Sequence, residues 1–372
     1  MMKKHPFLTP ATTTLLILAA SGLSMKPATA ADYFHLGMSE RSRLDLAKEF
    51  SNTDGDTTPA DTEPGAGDDL FFFNSAVTAP SELTLYTGPG REGRSRSYNS
   101  MTFRANAGPT QIDRSTLTVD PDATVLAIGA GGISVESAAG PVTFGQPVDG
   151  DNPQRVIVGA AADLKITNNS SNDLTFNRFF DARTEHTTHT VTVTGAGSGN
   201  TVFVEGIRAF PRKSQDLAMT INTTGTGVVR VEGLINYTGA TNVTSGKLFI
   251  NGNATAATGP VGVSGEATLG GNGTIGGDVS IAENGRLEFV ISTPAASHDP
   301  MDLSTPLTFA GASELTITSP GGAAVGKYTL ITSTGGVLGT APATVKLPDG
   351  WAGKVSIAGN DLVLDVTAIG PP

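Results

Sequence analysis

Cysteine is absent from the 372 residues, which removes disulfides, thiolate metal sites and thiol nucleophiles together. A chain bound for an oxidising compartment without disulfides must be held by a long buried core, and this one is long enough to build it. Charge is sparse: Asp, Glu, Lys and Arg make up 16% of the residues, and aromatics only 6%. Both figures are low for an enzyme that lines a groove with paired carboxylates and stacks sugars on rings. The balance is acidic, at −11, so nucleic acid, which needs Lys and Arg clustered on one face, is not an expected partner. One short basic run exists, Arg91, Arg94, Arg96 and, further on, Arg104. It reads as a solvated loop, with contact to a polyanionic cell surface as the functional alternative. No apolar run approaches the roughly 20 residues of a bilayer span, and nothing between Asp69 and Pro372 repeats with the 3.6-residue period of a helix.

The first thirty residues have the grammar of a secretory signal. Lys3 and Lys4 precede an apolar stretch centred on Leu15, Leu16, Ile17, Leu18, Ala19 and Ala20, and Ala28-Thr29-Ala30 forms a small-residue cleavage site. Cleavage is expected after Ala30, and loss of Lys3, Lys4 and Lys26 moves the net charge from −11 to −14. The mature chain is then exported and carries no transmembrane segment.

What is present is one pattern repeated. Short runs of alternating Val, Ile, Leu and Thr end in Gly, Asn, Asp, Ser or Pro, as in Leu83–Tyr86, Thr116–Val119, Ile133–Glu136, Val191–Thr194, Lys247–Ile250, Asp278–Ile281 and Leu362–Asp365. Period-two alternation sends one set of side chains to a core and the other to water. With 46 glycines, there is a tight turn for nearly every strand end, and the pattern simply continues, which favours stacked coils over a sandwich. In Lys247–Ile250, Leu248 and Ile250 are expected in the core, with Tyr237, Thr238 and Gly239 forming the corner before them. The one helix candidate is Ser39 to Phe50, where Leu44, Leu46, Ala47 and Phe50 share a helical face and Ser39 can cap it. Residues 52–69, rich in Asp, Thr, Gly and Pro, read as an exposed linker.

Candidate chemistry is thin. Glu185-His186-Thr187-Thr188-His189 spaces its histidines three apart, not the four a helical zinc site needs, and on a strand positions three apart face opposite ways. It reads as an exposed strand start. Gly129–Gly132, Gly195–Gly199 and Gly270–Gly273 are not followed by a helix, so they are turns and not phosphate loops. The mature chain has no Gly-x-Ser-x-Gly elbow with a plausible histidine partner. Asp54, Asp56, Asp61, Asp68 and Asp69 gather hard oxygen ligands without the spacing or the twelfth-position glutamate of a calcium loop. No catalytic, cofactor-binding or metal-binding residue is therefore assigned, and no cofactor is expected.

Residues 234–252, Leu-Ile-Asn-Tyr-Thr-Gly-Ala-Thr-Asn-Val-Thr-Ser-Gly-Lys-Leu-Phe-Ile-Asn-Gly, followed by Ala267-Thr-Leu-Gly-Gly-Asn-Gly-Thr-Ile-Gly-Gly-Asp-Val279, resemble the autotransporter-associated β-strand repeat. Residues 64–74 and 99–103 are similar to the opening rungs of such proteins, and 324–366 to their closing strands. The resemblance implies an all-β, right-handed parallel β-helix carried outside the cell by a bacterium with an outer membrane. The sequence departs from the family in lacking a translocating barrel and a Pro-Glu-Pro sorting tail before Pro372. The expected organisation is a signal at 1–30, a leader or linker at 31–68 with a short helix, a β-solenoid at 69–302 including the repeat at 234–288, and a C-terminal β cap at 303–372, with Trp351 covering the last rung. The expected function is structural or adhesive, secreted or at the outer cell surface with the periplasm as the alternative location, without catalysis, toward surface or extracellular-matrix components including polysaccharide. The alternative is an extracellular β-helix that binds or degrades polysaccharide.

Overall fold

The computed structural model describes residues 30–37, 41–44, 47–76, 83–86, 96–113, 124–145, 156–160, 163–181, 189–208 and 217–370. They form a parallel β-helix of three strand-bearing faces. Along the first face, Asp32–His35, Asp69–Phe72, Arg96–Phe103, the later half of Thr124–Val135, Leu164–Asn168, Thr190–Gly195, Ala218–Thr223, Thr241–Ser245, Val261–Val263, Val279–Ile281, Leu307–Phe309 and Val337–Leu338 pair in parallel, each with the next. The second face is a 12-stranded sheet from Arg41–Arg43 to Thr344–Lys346. The third runs from Val156–Ala160 through Phe179–Asp181, Gly206–Arg208 and Leu234–Ile235, and goes on through Asn253–Ala254, Thr274–Ile275 and Met301–Leu303 to Gly326–Ser333. Thr124–Val135 turns a corner within one strand, its first half pairing with the third face and its second half with the first, and Gly132 takes the left-handed conformation at that bend (φ 79°).

Register shows why the sequence has no fixed repeat length. Val261 lies beside Val279, eighteen residues on, whereas Ile133 lies beside Ile166, thirty-three on, and Tyr33 beside Leu70, thirty-seven on. The strands keep their columns while the corners absorb the difference. One column on the first face is Tyr33, Leu70, Met101, Ile133, Ile166, Val193, Ile221, Val243, Val263, Ile281 and Phe309, each paired with the next and all buried. Facing it, Val229, Leu248, Leu269, Leu287 and Leu315 form a column on the second face. Near the N-terminal end phenylalanines fill the core: Phe72 stacks on Phe103 at 5.0 Å, Phe144 on Phe176 at 5.0 Å and Phe176 on Phe203 at 5.2 Å. Each such side chain contributes roughly 1.5–3 kcal/mol by leaving water.

The corners are built from glycine because the next turn leaves no room for a side chain. In the column Gly239, Gly259, Gly277, a Cβ on Gly259 would sit 2.0 Å from the carbonyl oxygen of Gly239, and one on Gly277 1.9 Å from that of Gly259. Beside them, Tyr237 fills the corner from within. It is buried, its hydroxyl lies 2.6 Å from Thr241 Oγ1, and burial pushes that hydroxyl up to about 12. Tyr237, Thr238 and Gly239 therefore form the corner between Leu234–Ile235 and Thr241–Ser245, as the sequence suggests.

Both ends are closed by antiparallel pairing. At the C-terminal end Asp361–Ala368 pairs antiparallel with Gly326–Ser333 and with Ala352–Ala358, and Trp351, half-buried, packs against the core. Parallel stacking continues to Lys346, so the antiparallel strands follow that residue. At the N-terminal end the expected helix at Ser39–Phe50 is not formed: its described residues are the strand Arg41–Arg43, a 3-10 turn at Ala47–Glu49 and the strand Phe50–Ser51. Nor is all of 31–68 an exposed leader, because Tyr33, Leu36, Leu44 and Phe50 are buried in the first turn. Leu44, Ala47 and Phe50 imitate a helical stripe, but they fall in a turn, a 3-10 turn and a strand. Among the described residues no helix is long and apolar enough to cross a membrane.

Leu248 is 1% exposed between Val229 and Leu269. Leu248→Ala should therefore cost roughly 2–5 kcal/mol, as large-to-small core changes do, measured by urea unfolding of residues 31–372.

Candidate binding groove

Most residues weighed for chemistry are occupied in holding the fold. Asp54 accepts from Arg104 at 2.8 Å and from the Ser75 amide at 2.7 Å, and the Arg104 hydrogen bond, ahead of every other cause, holds its carboxyl down at about 2. Asp56 accepts from the amide and hydroxyl of Thr58. Asp68 accepts from the Gly65 and Ala31 amides, and Asp69 from Asn99 and Ser100. These carboxylates close corners of the first turns with protein donors. Arg91, Arg94, Glu185 and His186 lie outside the described residues. His189, expected on an exposed strand start, is instead 8% exposed, because its carbonyl takes the Ala218 amide of the next turn and so draws it into the stack. Gly195–Gly199 and Gly270–Gly273 each begin on the last residue of a strand and run into a corner, whereas Gly129–Gly132, expected as a turn, lies within the bent strand Thr124–Val135. Among the described residues no three His, Asp or Glu side chains come together to hold a metal ion.

Stacking does assemble a groove of about 370 Å³ that the sequence gives no direct sign of. Its floor is the outward side of the second face. Arg230 and Phe249 occupy one outward column on successive turns, followed by Gly270. The Arg230 guanidinium lies over the Phe249 ring, 5.8 Å from its centre, an arrangement in which the ring's negative face attracts the cation. Asn251 Nδ2 donates to both oxygens of Glu232, at 3.1 and 3.0 Å, and Arg230 stands 3.9 Å from Glu232. The far wall is the segment after Arg286–Val290, which carries Val290, Ser292, Thr293, Ser297, His298 and Asp299. His298 meets the Tyr328 ring edge-on at 5.6 Å, burial pushes it below its ordinary value, and its Nε2 is buried without a partner among the protein atoms. The signal that could have found this place is an outward aromatic, Phe249, between two core residues on a Gly- and Thr-rich strand pair.

A second histidine lies far from the groove. His35 is fully buried among Phe50, Phe72 and Phe73, with ring centres 5.1–5.8 Å away. Its Nδ1 accepts the Gly37 amide at 3.1 Å, so the proton sits on Nε2, which has no protein partner. Burial alone pushes it down from 6.5 to about 3, since a charged imidazole cannot be solvated there.

Compared with models of known protein families, with curated proteins and with solved structures, the chain matches none.

Because the folded value of His35 lies below the unfolded one, the unfolded chain binds the extra proton first as pH falls. Stability is thus whole above about pH 6.5 and declines between there and about pH 3, by about 1.4 kcal/mol per pH unit from this group. Urea unfolding from pH 7 to pH 4 should show this slope, and His35→Gln should flatten it.

Proposed function

We propose that the chain is an exported structural and adhesive protein of the outer cell surface or medium, of the autotransporter-associated β-strand repeat type, acting without catalysis. The observation that carries the reading is the outward side of the first face. There Thr192, Thr220, Asn242, Gly262, Ser280 and Thr308 form one file, and Thr102, Ser134, Thr167, Thr194, Asn222 and Ser245 a second, each residue beside its counterpart on the next turn. The residues of these files are uncharged, and apart from Gly262 each presents a hydroxyl or an amide, with strand spacing setting successive ones about 4.8 Å apart. Such a surface makes many weak, equivalent contacts, whose strength comes from their number. The charged second face is different: Lys247 pairs with Glu288 at 2.6 Å, and Lys346 and Arg286 with Glu314 at 2.6 and 3.8 Å. Its charges are paired along the stack.

Export is supported by the first turn. The Ala31 amide donates to Asp68 Oδ1 at 3.0 Å, and the Ala31 carbonyl accepts from Asp69. Cleavage after Ala30 would turn that amide into an ammonium group beside the same carboxylate, exchanging a neutral donor for a charge-assisted one.

The second reading, an extracellular polysaccharide-binding or polysaccharide-degrading protein, is favoured by the groove, which contains the carboxylates Glu232 and Asp299. The binding half of that reading is kept, because Glu232 is engaged by Asn251 and Arg230 in a fixed polar cluster.

Fractionation of producing cells should place the mature chain in the outer-membrane or medium fraction, and it should give no turnover on a broad polysaccharide panel. Cytoplasmic full-length protein, or turnover lost on changing one Asp or Glu, would contradict the reading. The mature chain with a free Ala31 ammonium should be more stable than the same chain acetylated there by about 0.5–1 kcal/mol, the size of a partly exposed ion pair, and Asp68→Asn should abolish the difference.

A further inference from the structure

We propose that the groove between the second face and the segment 290–299 binds a short stretch of an uncharged saccharide chain, an assignment that rests on the adhesive reading and gives it a ligand class. Saccharides present neighbouring hydroxyls, each both donor and acceptor, beside patches of C–H surface. Their recognition needs planar polar groups held in fixed positions and a modest apolar surface. The groove supplies both. Asn251 spends its Nδ2 on Glu232, which fixes the amide plane and leaves Oδ1 to accept from a ligand hydroxyl. Glu232 is in turn held by Arg230, and Arg230 by the Phe249 ring, so the cluster is set before a ligand arrives. Gly270 makes this possible, because a Cβ there would lie 2.9 Å from Phe249 Cε1 and lift the ring out of place. On the opposite wall Val290, 47% exposed, offers the apolar patch.

Charge narrows the class. Arg230 is set against Glu232 and Asp299, and burial keeps His298 from adding a second positive charge at neutral pH. The groove is therefore slightly negative and repels uronates, sulfated sugars and phosphates. Its volume of about 370 Å³ falls at the small end of ligand sites, roughly 300–1,000 Å³, which suits a few sugar rings of a longer chain and not a whole globular partner.

The test is titration calorimetry of the mature chain with cellotetraose, chitotetraose, maltotetraose and mannotetraose, and with tetragalacturonate as the anionic counterpart. At least one neutral tetrasaccharide should bind, tetragalacturonate at least tenfold more weakly. Asn251→Ala should weaken binding tenfold or more with melting unchanged, whereas Lys354→Ala, at an exposed position of the strand Ala352–Ala358, should leave it unaltered. The proposal is overturned if no neutral tetrasaccharide binds, if tetragalacturonate binds better, if a short peptide displaces the sugar at lower concentration, or if Asn251→Ala binds like the parent. Cells displaying the chain separate this proposal from the reading beneath it. Adhesion that survives Asn251→Ala refutes the groove as the adhesive site and leaves the adhesive reading standing; tetrasaccharide binding without any adhesion supports the groove and refutes that reading.

Discussion

Everything in this protein depends on one constraint: each residue lies about 4.8 Å from its counterpart on the next turn, so whatever is placed at a position must tolerate its own kind above and below. Aliphatic residues satisfy this in the core, and the column from Tyr33 to Phe309 runs through eleven turns without a polar interruption. Glycine satisfies it at the corners, where Gly259 and Gly277 meet the carbonyl below at distances no Cβ could accept. Threonine, serine and asparagine satisfy it on the outside, as where the hydroxyls of Thr167 and Thr194 lie 3.0 Å apart. Charged residues of the second face satisfy it by meeting an opposite sign along the stack, as Lys346 does with Glu314 on the neighbouring turn.

The same constraint makes the two ends special. A last turn offers an unsatisfied row of amides and carbonyls on each face, a template for pairing with other chains. The C-terminal end answers with the antiparallel strands Ala352–Ala358 and Asp361–Ala368 laid on the third face. The N-terminal end folds Phe50–Ser51 back against Asp32–His35 in antiparallel register. The aromatic cluster around His35 lies beneath that fold-back, which is why a neutral imidazole is retained there.

The fold was readable because alternation is local. Leu248 and Ile250 are buried as the pattern of Lys247–Ile250 requires, and Tyr237–Gly239 makes the corner that its composition implies. What the sequence hides is whatever depends on which turn stacks on which. Stacked partners lie from eighteen to forty-three residues apart, which erases any period, and the first turn reads as a helix because Leu44, Ala47 and Phe50 follow one another at intervals of three. The groove is the clearest case: Arg230, Phe249 and Asp299 are spread over seventy residues, and only the register Arg230↔Phe249 and the excursion after Val290 bring them together.

Hydrogen–deuterium exchange of residues 31–372 tests the stacked column most directly. The amides of Val193, Ile221, Val243, Val263 and Ile281 should be protected together, because each turn is stabilised by its neighbours on both sides, while amides in the wall segment 292–299 exchange first. Comparable rapid exchange along the column and in the wall would contradict a continuous core shared from turn to turn.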